Sequence, residues 1–270
     1  MNEPTNHSPI NRVLIALDAL KENDKTIEFA VALAARKQAE LMMLFIEDLN
    51  LVHLASLPFA SEIGRMSILE RKLDSLQMTR AFRAQTQRLE KLLEQMTRQK
   101  HVNYSLKVVR GHYLQEALSA TDTMDVLFLS KTVGRYGKST SELTPLIKMA
   151  YSNNPSIKQA VWIIYQGTAA SDHALLMARD LASSANKELV ILIRSTEEKA
   201  RQHKQQAISL LASQPISTHY VIVPQETENK ELINLLKGRE CGLLVLPNDV
   251  LTINHQVFLD ELEHPVMLVR

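Results

Sequence analysis

The sequence predicts an α/β protein built as two tandem doubly wound parallel-sheet domains, and three observations predict it. Short, nearly continuous apolar runs alternate with amphipathic helical stretches, the pattern of parallel strands covered on both faces. The order of those runs is spelled twice along the 270 residues. Finally, 45% hydrophobic and 23% charged residues describe an ordinary globular chain, long enough for one large core or two modest ones.

The first pass opens at Arg12–Asp18 (RVLIALD), a β-branched and leucine run that closes on an acid. A helical pattern over 26–37 follows, with Ile27, Val31 and Ala34 on one face. The next strand is expected at 41–46. A loop over 48–65 comes after it, then a long helix over about 69–99, in which Leu69, Leu73, Leu76, Phe82, Leu89, Leu93 and Met96 keep near a 3.6 spacing. A strand at 105–109, a helix at 113–121 and a strand at 126–129 complete this pass. The second pass begins at 160–165 (AVWIIY). It runs through a helix at 171–184, a strand at 189–193, a helix at 197–212, a strand at 219–223, a helix at 230–237 and a strand at 243–246. It ends on a closing strand at Val266–Val269 after Pro265.

Two alignments carry the repeat: KQAELMMLFIED answers NKELVILIRST, and DTMDVLFLS answers RECGLLVLP. The first pass has no closing strand, which leaves nine strands. An open sheet edge invites pairing, so the chain is expected to form a homodimer or an intramolecular domain pair, with any other protein partner unnamed. Asn, Ser and Pro in YSNNPS (151–156) mark the joint, giving domains 1–155 and 156–270.

Composition excludes several functions. Apolar runs such as 41–46 are far too short to span a bilayer, and no membrane role is expected. The start, MNEPTNHSPINR, lacks an apolar core and a small-residue cleavage site, from which a cytoplasmic protein is expected. Formal net charge is +1 and disfavours a nucleic-acid binder. The long helix does carry a basic face of Arg71, Lys72, Arg80, Arg83, Arg88, Lys91 and Arg98. This reads as a solvated face, with an acidic partner or nucleic acid as the alternative. Cys241 is the only cysteine and is expected to be a small buried residue.

No catalytic or metal constellation stands out. GKST at 137–140 ends like a Walker A motif, but the earlier glycine that motif requires falls at Thr132. Nine histidines include no i,i+4 pair around an acid. His53, His112 and His173 read as surface or capping groups, and no G-x-S-x-G elbow is present. The ten methionines, Met42 and Met43 among them, read as core filler.

RVLIALD ending at Asp18, the long opening LFIEDLNLVHLASLPFA after the second strand, and Gly134 with Gly137 in LSKTVGRYGKST together resemble the universal stress protein family in its tandem form. The resemblance implies adenine nucleotide alpha hydrolase-like domains that dimerise. In some members it also implies ATP or another adenine nucleotide at the carboxyl edge of the sheet. Asp18 would contact the nucleoside, and Gly134, Gly137, Lys138, Ser139 and Thr140 would lie at the phosphates. The family's phosphate motif continues nine residues later with Gly-Ser or Gly-Thr; here Ile147 and Lys148 stand in those places. Half of the bare amides are therefore missing. In the second pass the first strand ends in Tyr165 and Gln166, and no glycine follows the fourth strand. The expectation is thus a non-catalytic stress-response or regulatory protein with no cofactor and at most a degenerate nucleotide pocket in domain 1. An ATP-binding protein using domain 1 alone is the alternative.

Overall fold

The computed structural model describes residues 10–18, 24–57, 61–63, 70–72, 75–123, 125–130, 160–214, 216–237, 241–247, 249, 258–259, 261–262 and 264–270. They gather into two compact units, Ile10–Ser130 and one that holds the described residues from 160 onward. The joint expected at 151–156 lies outside the described residues.

In the first unit, β1 (Arg12–Asp18), β2 (Glu40–Asp48), β5 (Tyr104–Gly111) and β6 (Val126–Ser130) form a parallel sheet in the order β5-β2-β1-β6. Strands β3 (Ser61–Ile63) and β4 (Glu70–Lys72) pair antiparallel beside it in sequence. The helices are α1 (Asp24–Lys37), α2 (Leu49–Ser56), α3 (Ser75–Lys100) and α4 (Tyr113–Ser119), the last continued by a 3-10 turn over Ala120–Thr123. Helix α1 packs on β1, β2, β6 and α3, while α4 packs on β1, β2 and β5. Right-handed crossovers put α1 and α3 on one face of the sheet and α4 on the other. Both faces of β1 are covered, and Val13, Leu14, Ile15, Ala16 and Leu17 are fully buried.

The second unit holds β7 (Val161–Tyr165), β8 (Leu189–Arg194), β9 (Thr218–Val223), β10 (Leu243–Pro247) and β11 (Val266–Val269), all parallel, in the order β9-β8-β7-β10-β11. Its helices are α5 (Ala169–Ser184), α6 (Glu197–Leu211) and α7 (Asn229–Lys237). Trp162 and Tyr165 are the largest side chains in this core and are wholly buried.

The two units repeat one strand order, third-second-first-fourth, and the register repeats with it. Val13 pairs with Leu41 and Val126, while Val161 pairs with Leu189 and Leu243. The first helix of each unit also ends alike, with Gln38 (φ 54°) and Asn186 (φ 50°) in the left-handed region. Each is followed by an amide bonded back across the last turn: Ala39 N–H to the Ala34 carbonyl, and Lys187 N–H to the Ala182 carbonyl. All nine expected parallel strands are present among the described residues.

Three expectations are corrected. The helix expected from 69 starts at Ser75, and Arg71 and Lys72 belong to β4. Leu76, placed by its spacing on the apolar face, is 66% exposed, whereas Phe82, Leu89 and Leu93 are buried as the spacing requires. The expected loop at 48–65 contains α2 and β3, so His53 is helical. The remaining calculated boundaries shift by a residue or two at each end, as fraying ends do.

Candidate functional site

In the first unit the strand order reverses at β1, which lies between β2 and β6. The crevice outside the carboxyl ends of these strands is the switch point where open α/β sheets hold ligands. Asp18 is the last residue of β1, in register with Ile46, and the preceding Leu17 is in register with Ser130. Asp18 thus stands at the carboxyl end of the strand at which the order reverses. Gly134, Gly137, Lys138, Ser139 and Thr140 lie outside the described residues.

Three further residues frame this edge, and the sequence reading missed them. Glu47, near the end of β2, accepts two hydrogen bonds from Arg110 at the end of β5, at 3.1 Å from Nε and 2.7 Å from Nη2. Tyr113 is buried at the start of α4 and donates its hydroxyl proton to the Ala16 carbonyl at 2.8 Å, tying that helix to β1. The only signal in the sequence is an acid and a base at the ends of strands that turn out to be neighbours. His112 precedes α4 without a side-chain capping bond, and His173 places Nδ1 3.2 Å from the Arg270 carbonyl.

The corresponding edge of the second unit is filled by its own side chains. By the repeated register, Gln166 stands where Asp18 stands in the first unit, and Tyr165 where Leu17 stands. The Tyr165 hydroxyl donates to Asp172 Oδ1 at 2.5 Å, and Gln206 Nε2 donates to Asp172 Oδ1 and Oδ2 at 3.1 and 2.9 Å. Burial, then the carboxylate beside it, raises the Tyr165 pKa far above the ordinary tyrosine value. His203 stands edge-on to the Tyr165 ring with centroids 6.3 Å apart. Gly167 has φ +70°, and a Cβ there would come within 2.5 Å of the His203 ring. Its bare side is therefore occupied by imidazole. Thr168 caps α5 by accepting from the Ser171 N–H at 3.1 Å, and its own hydroxyl donates to Asp249.

The groove lined by Asn11, Gln38, Glu40, Lys100, His101 and Asn103, with a volume of about 620 Å³, lies at the opposite, amino-terminal edge of the first sheet, where α1 and α3 end. It is not the switch-point crevice. Among the described residues there is no group of three or more His, Cys, Asp or Glu that could hold a metal, and no helix is long and apolar enough to cross a membrane. Cys241 is buried and free, and burial raises its thiol pKa.

No family model matches the sequence, and no curated protein matches it. Solved structures do. A universal stress protein from Archaeoglobus fulgidus DSM 4304 superposes with a TM-score of 0.51 at 11% identity, covering 96% of each chain. A putative universal stress protein from Pseudomonas aeruginosa UCBPP-PA14 reaches 0.47 at 13% identity, over 96% of this chain and 93% of its own. The cytoplasmic domain of a prokaryotic cation chloride cotransporter reaches 0.46 at 10% identity, over 96% and 94%. With the repeated β-sheet order and the register already in view, the first of these superpositions shows that the chain has the universal stress protein fold.

Proposed function

We propose that this chain is a non-catalytic regulatory protein of the stress response, acting through dimerisation and partner binding, with at most a degenerate nucleotide pocket in the first unit. The observation that carries this reading is the filled edge of the second unit. There the Tyr165 hydroxyl and the Gln206 amide both donate to Asp172, and the His203 ring packs edge-on against Tyr165, where a ligand-binding domain of this architecture keeps an open crevice. The sequence adds that Ile147 and Lys148 replace the small residues that would complete a phosphate cradle in the first unit. Catalysis needs a positioned acid, base or nucleophile facing a bound substrate, and the acid described at the second unit's edge, Asp172, is held by the Tyr165 hydroxyl and the Gln206 amide.

A second reading, adenine-nucleotide binding by the first unit alone, is favoured by Asp18 at the switch point. It uses Gly134, Gly137, Lys138, Ser139 and Thr140 at the phosphates. Isothermal titration with ATP and magnesium separates the two. The preferred reading expects no heat at millimolar ligand. Micromolar binding that Gly137→Val abolishes would establish the second reading in its place.

A further inference from the structure

Each unit has an open edge strand among the described residues, β5 in the first and β9 in the second, and these strands occupy the same place in the repeat. Their backbones present the same pattern. The Asn103 carbonyl accepts from Leu41, and the Ser217 and Val223 carbonyls accept from Leu189 and Ser195. In a parallel ladder the amide and carbonyl of one residue point the same way. The alternate residues therefore face outward: Tyr104, Leu106, Val108 and Arg110 on β5, and Thr218, Tyr220 and Ile222 on β9. Each of these offers an unused donor and acceptor to a further strand.

The side chains differ. β5 (YSLKVVRG) carries Lys107 and Arg110, both exposed. β9 (THYVIV) carries no Lys, Arg, Asp or Glu, no Gly and no Pro, and its Ile222 is 45% exposed. That is the composition of a strand built to pair, while charges on an edge are the usual guard against pairing.

The identity of the occupant follows from symmetry. In a two-fold antiparallel pair each strand meets its own copy, so any charge near the axis meets a like charge. On β5 the longest such pairing, Tyr104 against Arg110, sets Lys107 against Lys107, and pairings about Leu106 or Val108 escape that clash only by giving up two of its eight backbone bonds. On β9 it sets Tyr220 against Tyr220, Thr218 against Ile222 and His219 against Val221, with six backbone hydrogen bonds and no like-charged pair across the ladder. The Lys204 ammonium lies over the Tyr220 ring, 5.1 Å from its centroid. We infer that a second copy of this chain docks on β9, antiparallel about Tyr220, and joins the second units of two molecules. This rests on the proposal that the chain acts by pairing and names the surface that does so.

The test is the molar mass of the full chain by light scattering and sedimentation over a wide concentration range. Ile222→Pro removes one outward donor without touching the bonds to β8, and Ile222→Lys adds a guard charge. Each should raise the dimer dissociation constant at least about tenfold. Unchanged circular dichroism and melting would show that both variants fold. Tyr220→Cys provides a gain-of-signal arm. Facing residues of a hydrogen-bonded antiparallel pair lie about 5.5 Å apart at Cα, within disulfide range, so mild oxidation should give a covalent dimer that Lys107→Cys does not give. A dimer untouched by both Ile222 variants overturns the β9 surface and leaves the pairing proposal intact. A chain monomeric at every concentration overturns both, whatever the ATP titration reads.

Discussion

Gln38, His101 and Asn186 each hold a left-handed backbone at a helix end, with φ of 54°, 54° and 50°. The chain has only seven glycines, and none stands at these three positions, where glycine carries no Cβ penalty. Gln38→Gly or His101→Gly should therefore raise stability by about 0.5–1 kcal/mol in urea unfolding, the strain relieved exceeding the added freedom of the unfolded chain. Asn186→Gly should gain less, because asparagine tolerates this conformation better than glutamine or histidine. Tyr165 makes a pH prediction. Its pKa is raised above the ordinary 10.0, so above that pH the unfolded chain has lost a proton that the folded chain keeps. Stability then falls as pH rises, and none of this contribution is lost below the ordinary value. Cys241 adds a loss of the same sign, beginning nearer its ordinary 9.0. The Tyr165 part is isolated by comparison: Tyr165→Phe should be less stable than wild type at neutral pH and should lose less on going to high pH. Parallel stability curves for the two proteins would refute the buried hydroxyl as the cause.

Helix α3 shows at the level of elements how far spacing reaches. Its 26 residues extend about 39 Å, and Phe82, Leu89 and Leu93 form the buried stripe that the periodicity demands. Leu93→Ala should cost about 2–5 kcal/mol, as a core truncation does. Leu76→Ala, at the second residue of the helix and exposed, should change stability by less than about 0.5 kcal/mol by the same thermal or denaturant measurement. Equal costs would mean that Leu76 is covered. The nine parallel strands and the repeat were legible because each strand is an unbroken apolar run and each helix has one apolar face. What escaped did so for physical reasons. The pairs at 69, 73 and 76 continue a helical spacing by chance across the short strand Glu70–Lys72, whose three charged residues give no alternation to detect. Helix α2 is only eight residues of mostly apolar sequence, too short for a period to stand out from a strand or a loop. Of the candidate site, the place of Asp18 at the end of β1 was legible, because the apolar run itself stops there. The Glu47–Arg110 pair was not, because it joins strands 63 positions apart whose adjacency only the sheet order decides.

For the whole molecule, the repeat sets a comparison that no single unit provides. Two sheets of one topology carry different residues at the same point: Asp18 ends the first strand of one, and Gln166 follows Tyr165 in the other. Were the acid alone the determinant of nucleotide binding, Gln166→Asp would create a second site. The structure argues that it would not. The Tyr165 ring is wholly buried, its hydroxyl and the Gln206 amide saturate Asp172, and the His203 ring covers the bare side of Gly167. A ligand would have to displace these groups and leave the half-buried Asp172 carboxylate short of partners, at a cost of up to about 1–3 kcal/mol per unsatisfied polar group. No glycine follows β10 to offer amides in return. Gln166→Asp, made in an Asp18→Asn background to exclude any binding through that acid in the first unit, should therefore give no heat with ATP and magnesium, and its melting temperature should not respond to nucleotide. A ligand-dependent rise in melting temperature in that double variant would mean that the second crevice opens readily, and that its network is a closure rather than a filled core.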